Sequence, residues 1–463
     1  MNETLHRRLR PYPEYKSSGV DWLGKIPVHW ETRPLRRLLR SIEQGWSPIA
    51  EDRQANEDEW AVIKLSAIHA GTFRDGEHKA LPASLEPLPA LEIHKGDILL
   101  TRANTPELVG AVCLVRKTRP RLLLCDLAYR IMAADTVIAP PFLVYWLLSE
   151  AGRHQIKVDA RGSSRSMVKI SQGHIKSWAC IVPPIGEQRT IMAYLDRETA
   201  EIDALAAKKR RLIELLQEKR TALINHAVTK GLDPTVATKR SGVDWLREVP
   251  VHWQMTRLRH VIHKIEQGWS PECDNLPADQ NQWGVLKAGC VNHGSFNEED
   301  NKALQPGVNP VESLEVRGGD VLMSRASGSP KLIGSVAYVP RCRPKLLLSD
   351  KLFRLFCEEH RVAATYLPFV LGAQIGRMQI EQAISGAGGL ANNIGQSTIK
   401  NILIPLPPLH EQKLLLDNLT ASTGELDALI QDVGKAIHRL EEYRTALISA
   451  AVTGKIDVRE EIP

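Results

Sequence analysis

The chain has 463 residues, of which 43% are hydrophobic and 25% are charged. This composition excludes a wholly disordered chain, which would carry fewer apolar residues and more net charge. The net charge of +6 permits a polyanionic partner without requiring one. The seven cysteines are dispersed, and the most apolar run, Phe142 to Leu148, is too short to span a membrane. We therefore expect a soluble cytoplasmic protein with reduced thiols and no membrane association.

The amino-terminal part, residues 1–182, contains short apolar runs that are broken by Gly, Pro and Asn. Runs of this kind are typical of strands. The predicted strands are Ala61–Ile68, Asp97–Arg102, Gly110–Val115 and the run 122–132, and the segment from Phe142 to Ile156 is predicted to be one helix. Residues 1–182 are therefore predicted to form a strand-rich α+β globular domain.

The pattern changes after Pro183 and Pro184, because residues 186–228 contain no proline and their leucines recur at helical spacing. A helix of roughly 40 residues would be about 60 Å long at 1.5 Å per residue. Residues 410–452 show the same pattern, and Gly231 and Gly454 are plausible stops. The residues predicted to pack helix on helix are Leu195, Ile202, Leu205, Leu212, Leu216, Leu223, Leu419, Leu426, Leu429, Val433, Ile437, Leu440 and Leu447.

The strongest signal in the chain is a duplication with a period of about 223 residues. SGVDWLGKIPVHW, which begins at Ser18, recurs as SGVDWLREVPVHW from Ser241, and 19 of 31 positions are identical between 18–48 and 241–271. The run QGWSP, the prolines before each long helix, and the sequence RTALI near each helix end also recur. Each half is thus one complete structural unit. We expect both copies to do the same kind of job on two similar targets, unless the duplication records only evolutionary history.

The duplication predicts four segments. They are a first globular domain at 1–182, a central helix at 183–231, a second globular domain at 232–405 and a distal helix at 406–463. An amphipathic helix of this length cannot hide its apolar stripe alone, so we expect the two helices to pack antiparallel as a coiled-coil-like spacer. The alternative is that each helix packs only on its own globular domain. We also expect the amino-terminal segment to lie beside the end of the second helix.

Motifs for independent catalysis are missing from the sequence. There is no GxxxxGK[ST] loop for ATP, and Leu414 stands where an HExxH zinc motif requires its second histidine. No carboxylate set suited to acid–base or metal chemistry repeats in both halves. The sequence therefore predicts that the chain is not an enzyme, has no metal site and has no catalytic residues.

The chain is predicted to contain two globular domains, each followed by a helix that opens with PPxxEQ and ends near RTALI. This arrangement resembles the specificity subunits of type I restriction-modification systems. The SGVDWL, PVHW and ETAEIDAL runs resemble that family as well. The resemblance covers nearly the whole chain. Gly424 and Gly434 depart from the pattern and put the straightness of the second helix in doubt.

The resemblance implies that each globular domain is a target recognition domain reading one half of a bipartite, interrupted site in double-stranded DNA. The helices would set the gap between the halves. Two modification subunits would use S-adenosylmethionine to methylate adenine, and two restriction subunits would use ATP and Mg, so that this chain binds no cofactor itself. The chain would then act in phage defence as a DNA-binding, non-catalytic subunit.

Candidate DNA contacts are basic or amide side chains in or beside predicted loops, because lysine and arginine bind phosphates and asparagine suits adenine. They are Lys64, Arg102, Arg161, Arg165 and Lys169 in the first domain, and Lys287, Arg325, Lys331, Asn392 and Asn393 in the second. The alternative is that each is ordinary solvated surface. Two other functions stay open, namely an enzyme that acts on DNA alone and a scaffold that binds only proteins.

Overall fold

The computed structural model describes residues 10–164, 167–243, 245–384 and 392–460. The chain folds as two compact units, one made of Met1–Arg210 with Gly434–Pro463 and the other of Arg211–Val433. This division cuts both long helices near their middles. Each unit therefore combines one globular domain with a segment of each helix.

The first unit is rich in short strands. Its described residues also include three short helices, the start of one long helix and the end of another. The strands are β1 Tyr15–Ser17, β2 Lys25–Pro27, β3 Glu31–Pro34, β4 Leu39–Gln44, β5 Ala61–Ile63, β6 Ile68–His69, β7 Thr72–Phe73, β8 His78–Ala80, β9 Ile98–Thr101, β10 Ala103–Asn104, β11 Val112–Leu114, β12 Leu122–Leu123, β13 Ala128–Ala133, β14 Arg161–Ser164, β15 Met167–Lys169 and β16 Ala179–Val182. The helices are α1 Pro140–Leu148, α2 Glu150–Asp159, α3 Gln172–Ser177 and α4 Ile185–Lys230.

The second unit repeats this order. Its strands are β17 Thr238–Val243, β18 Leu246–Pro250, β19 Gln254–Arg257, β20 Ile262–Gln267, β21 Gly284–Leu286, β22 Asn301–Ala303, β23 Val321–Ser324, β24 Ala326–Ser327, β25 Val336–Tyr338, β26 Leu346–Leu347, β27 Leu352–Cys357, β28 Asn392–Asn393 and β29 Leu403–Leu406. Its helices are α5 Tyr366–Gly372, α6 Gln374–Ala383, α7 Gln396–Asn401 and α8 Leu409–Val452.

The main sheet of each unit is antiparallel and has four strands. Its order is β11-β9-β13-β4 in the first unit and β25-β23-β27-β20 in the second. A smaller sheet, β12-β5-β8 or β26-β21-β22, includes one parallel pair. The α+β class predicted from the sequence is confirmed, and the equivalent strand orders match the internal duplication.

Strand β9 explains why the sequence shows continuous apolar runs rather than alternation. Ile98 and Leu100 pack into one hydrophobic core with α1, whereas Leu99 packs into a second core with β5 and β12. Successive side chains of a strand point to opposite faces, so a strand covered on both faces must be apolar throughout. The central sheet therefore lies between two cores and holds the surrounding loops in place.

The predicted helix from Phe142 to Ile156 is wrong in one respect, because it is two helices that meet at Ser149. The backbone of Ser149 is extended (ψ 162°), and its hydroxyl accepts a hydrogen bond from the Gly152 amide at 3.2 Å. A serine in this conformation caps the helix that follows. A Cβ on Gly152 would lie 2.3 Å from the Trp146 carbonyl oxygen, so the tight junction needs glycine there.

The two long helices are confirmed, with 46 residues in α4 and 44 in α8. Gly231 and Gly454, at φ of 76° and 72°, follow their carboxyl ends. Glycine favours this left-handed conformation, which commonly terminates helices. Helix α8 continues through Gly424 and Gly434, so neither glycine ends it.

The amino-terminal segment of the first unit packs beside the end of α8, as predicted. The Asp457 amide donates to the carbonyl oxygen of Arg10 at 2.8 Å, and the Tyr15 hydroxyl donates to that of Gly454 at 2.9 Å. Among the described residues, we find no helix with the length and apolar character needed to cross a membrane.

Candidate nucleic-acid interface

A buried arginine organises the first globular domain. The guanidinium of Arg130 lies 2.6 Å from a carboxylate oxygen of Glu43 and 3.3 Å from one of Asp97. It also donates to the carbonyl oxygens of Ala90 and Glu92. Arg130 is 8% exposed, so this cation holds the sheet against the loop before β9 and is not available to DNA.

The second domain repeats this cluster at equivalent positions. Arg354 lies 2.7 Å from Glu266 and 3.0 Å from Asp320, and it donates to the carbonyl oxygens of Ser313 and Glu315. Burial tends to raise the pKa of Glu266, but Lys264 and Arg354 hold that pKa below its usual value. The sequence analysis missed both clusters, although their recurrence in the two halves was a usable signal.

The repeated PVHW and PPxxEQ motifs attach each long helix to its own domain. In the first unit, the Glu187 carboxylate accepts from the Trp30 indole at 3.0 Å and lies 2.8 Å from the His29 ring. In the second, Glu411 accepts from Trp253 at 3.0 Å and lies 2.7 Å from His252. Both tryptophans are fully buried, so these motifs are structural.

Three of the first domain's candidate DNA contacts come together. Arg102 lies between β9 and β10, and its guanidinium donates to the carbonyl oxygen of Asp126 at 3.4 Å. The backbone of Lys169 pairs with Ala103 on one side and with Arg161 on the other. Lys64 lies elsewhere, after β5, and is half-buried. Arg165 is outside the described residues.

The second domain shows the same clustering. Arg325 donates to the carbonyl oxygen of Asp350 at 3.4 Å, and the strand that follows it pairs with Asn392 and Asn393. Lys331 is exposed in a short turn, where it borders a different cavity. Arg325 therefore has the same partners in its unit as Arg102 has in the first.

Lys287, the remaining candidate, lines a cavity of about 370 Å³ in the second unit. Its ammonium lies 3.3 Å from Asp300. Two further lysines, Lys302 and Lys351, line the same cavity, and sequence analysis passed over both. The structure thus concentrates positive charge where the sequence indicated one isolated cation.

Each long helix carries a seam, which we define as the positions that are buried or half-buried at alternating steps of three and four residues. On α4 the seam residues are Thr199, Ile202, Ala206, Lys209, Ile213, Leu216, Arg220, Leu223 and Ala227, and on α8 they are Thr423, Leu426, Ile430, Val433, Ile437, Leu440, Arg444, Leu447 and Ala451. Alternation of this kind is the heptad pattern of coiled coils.

Ten of the thirteen predicted packing residues are buried or half-buried. Leu205, Leu212 and Leu429 are instead 44%, 41% and 45% exposed, so their assignment to the packing stripe is corrected. The seam passes through smaller or polar residues such as Ala206 and Lys209, which a search for large apolar side chains overlooks.

Ion pairs join the two helices in each unit. In the first unit Arg444 lies 3.0 Å from Asp203, and Arg210 lies 2.7 Å from Glu441. The lower number on α4 pairs with the higher number on α8, which makes the helices antiparallel. In the second unit Arg220 lies 3.0 Å from Asp427, the equivalent pair. The predicted antiparallel helix packing is therefore present within each unit.

The described residues offer little for covalent chemistry. Burial raises the pKa of every cysteine thiol, to about 12 for Cys113, Cys290 and Cys357, so these thiols stay protonated at neutral pH. Across residues 10–164, 167–243, 245–384 and 392–460, no three His, Cys, Asp or Glu side chains group as metal ligands would.

Comparison with known proteins gives a consistent result over the length of the chain. The putative type I restriction enzyme MjaX specificity subunit of Methanocaldococcus jannaschii is 23% identical over 448 residues, which are 94% of this chain and 96% of that protein. The type I restriction enzyme EcoKI specificity subunit of Escherichia coli K12 is 20% identical over 94% of this chain and 90% of its own.

A shorter match has a higher sequence identity. The type I restriction enzyme EcoEI specificity subunit of Escherichia coli is 31% identical over 191 residues, which are 41% of this chain and 32% of that subunit. No protein-family model matches the chain. A chain solved in a study of complex assembly and conformational transition of the type I R-M system has a TM-score of 0.64 at 17% identity, covering 93% of this chain and 99% of that one.

The fold is thus that of a duplicated α+β protein with paired long helices, shared with a chain of a type I restriction-modification system. Over nearly its whole length, the chain is similar in sequence to type I restriction enzyme specificity subunits.

Proposed function

We propose that this chain is the DNA specificity subunit of a type I restriction-modification complex. The single observation that carries the proposal is the relation to named specificity subunits across 94% of the chain. Two equivalent globular domains, each with an arginine at the same structural position, support a division of labour in which each domain reads one half of an interrupted DNA site.

The rest of the proposal concerns the assembly. Two modification subunits would bind this chain and bring S-adenosylmethionine for adenine methylation, and two restriction subunits would bring ATP and Mg for cleavage of unmodified DNA. The paired helices would set the number of base pairs between the half-sites. The complex would work in the cytoplasm, where it meets incoming phage DNA.

Co-expression of the chain with its modification subunit, followed by genome-wide mapping of methylated adenines, tests this function. We expect one split motif with an unspecified middle. A continuous motif would contradict the proposal that each domain reads one half of an interrupted site. Absence of methylation together with failure to bind any duplex at low salt would favour a protein-binding scaffold, and methylation by the chain alone would make it an enzyme.

A further inference from the structure

The lysine-lined cavity of the second unit lies against the repeated QGWSP run. Its wall includes the half-buried Trp269 and the three lysines Lys287, Lys302 and Lys351. Ser349 completes the lining from the neighbouring segment. An aromatic wall, several cations and a hydroxyl make a site suited to an anionic group with an attached apolar part.

Close backbone packing builds this cavity. The Trp269 amide donates to the Leu348 carbonyl oxygen at 3.1 Å, and the Asp350 amide donates to that of Trp269 at 3.1 Å. A Cβ at Gly268 would lie 2.1 Å from the Leu348 carbonyl oxygen, a distance that no other residue type can accommodate. The glycine of QGWSP therefore brings Trp269 and Ser349 side by side.

The hydroxyl of Ser349 is the unusual feature of the cavity. Ser349 is 5% exposed, and its Oγ finds no hydrogen-bond partner among the described residues. Leaving a buried polar group unpaired costs about 1–3 kcal/mol. An unpaired group of this kind can take a partner that the chain itself does not supply, such as a water molecule or a ligand.

The charges around the cavity leave a positive excess. Lys287 pairs with Asp300 at 3.3 Å, and Lys351 lies 3.9 Å from Asp350, which also lines the cavity. The Lys302 ammonium donates only to the neutral side chain of Asn275, at 3.4 Å. The lining itself therefore carries three lysines and one aspartate, while Asp300 and Asp274 lie beside it. Among these contacts, Lys302 is the lysine without a carboxylate partner.

The first unit carries related residues at the equivalent positions. Trp46, Lys64 and Lys79 correspond to Trp269, Lys287 and Lys302. Cys125 and Leu127 stand where the second unit has Ser349 and Lys351. A Cβ at Gly45 would lie 2.2 Å from the Cys125 carbonyl oxygen, so the same close approach recurs. Domains that read different sequences cannot discriminate through residues that they share, and these positions therefore suit a contact with a part of DNA that does not vary.

We propose that this cavity binds a backbone phosphodiester of duplex DNA, in the same way whatever the sequence. The proposal rests on the proposed function and adds a specific anchoring site to it. Lys302 and its neighbours neutralise the phosphate, the Ser349 hydroxyl donates to a phosphate oxygen, and the Trp269 ring covers the sugar. Cys125 supplies a weaker donor in the first unit, so the second unit binds its phosphate more tightly.

Two substitutions in the full-length chain test the site. Ser349→Ala removes the unpaired hydroxyl, so we expect unchanged or higher stability together with about tenfold weaker binding of DNA. Lys302→Gln removes one phosphate contact and lowers the slope of log affinity against log salt by about 0.9. Lys413→Gln, an exposed lysine on α8 outside the cavity, is the matched control and keeps both the affinity and the slope.

Affinity is measured on two unmethylated duplexes of equal length. One carries the motif identified by methylation mapping, and the other carries a scrambled sequence. Equal losses on both duplexes support the proposal. Wild-type affinity and slope in both variants would overturn it while the proposed function stands, as would losses confined to the specific duplex. If the variants lose binding of inorganic phosphate but keep DNA binding, the site takes a free anion instead. Failure of the wild-type chain to bind any duplex overturns the proposed function and this inference together.

Discussion

Burial distinguishes two kinds of arginine in each unit. Arg130 and Arg354 lie inside carboxylate clusters, whereas Arg102 and Arg325 make one weak contact with a carbonyl oxygen and stay partly exposed. A paired, buried cation stabilises the domain, and a partly exposed one is available to a phosphate or a base. Of these four arginines, we therefore propose Arg102 and Arg325 as the ones that contact DNA.

The buried cluster of the second unit gives a prediction about stability. Replacing Arg354 with Met removes the buried cation from Glu266 and Asp320, although Lys264 still pairs with Glu266 at 2.8 Å. We therefore expect the free energy of unfolding to fall by roughly 3 kcal/mol. Chemical denaturation of the full-length chain measures this change. Arg317→Met is the control, because Arg317 is 75% exposed where it pairs with Glu315, and its loss should change stability by less than about 0.5 kcal/mol. Equal effects of the two substitutions would contradict a structural role for the cluster.

Single residues were the hardest feature to predict from sequence. Lys287 was proposed as an isolated contact, but its cavity is formed with Lys302 and Lys351, which are 15 and 64 positions further along the chain. No local spacing shows that such residues meet, because strand pairing brings them together. Asn392 and Asn393 were found near Arg325 only through the pairing of β24 with β28.

At the scale of elements, the long helices were the most predictable part of the fold. Their heptad spacing, the prolines before them and Gly231 and Gly454 after them are all local signals. The junction at Ser149 was missed because its extended backbone is imposed by tight packing around Gly152. The predicted packing stripe wrongly included Leu205, Leu212 and Leu429, because a pattern of large apolar residues favours leucine over the buried Ala206.

The revised seam predicts a contrast between two adjacent leucines. Leu216 is 8% exposed and Leu215 is 46% exposed, while leucine and alanine are both good helix formers. We expect Leu216→Ala to lower the free energy of unfolding by roughly 2 kcal/mol and Leu215→Ala to change it by less than about 0.5 kcal/mol. Thermal and chemical denaturation of both variants measure the difference, and a reversed order would show that the seam is assigned incorrectly.

At the scale of the whole molecule, the proposed spacing role makes a quantitative prediction. Removing Arg210–Leu216 from α4 and the equivalent Gly434–Leu440 from α8 takes one heptad from each helix and preserves the seam register. Each helix shortens by about 10 Å. At 3.4 Å per base pair, we expect the gap of the methylated motif to shrink by about three base pairs with both half-sites unchanged.

The control for this experiment is a four-residue deletion at Lys208–Arg211 alone. It shortens only α4 by about 6 Å and breaks the alternation of three and four residues, so we expect weaker methylation rather than a clean change of gap. Methylome sequencing distinguishes the two results. Full methylation with the original gap after the paired deletion would rule out the helices as the spacer.

The first unit is built from two distant segments of the chain, which affects how the chain folds during synthesis. Its hydrophobic core includes Leu447, Val452, Ile456 and Val458, which are translated after the second unit, together with Trp30 and Leu35, which are translated before it. The second unit needs only Arg211–Val433 and can therefore be finished earlier. Domains usually acquire their structure in the order of their synthesis. Here part of the apolar core of the first unit stays uncovered until α8 emerges from the exit tunnel.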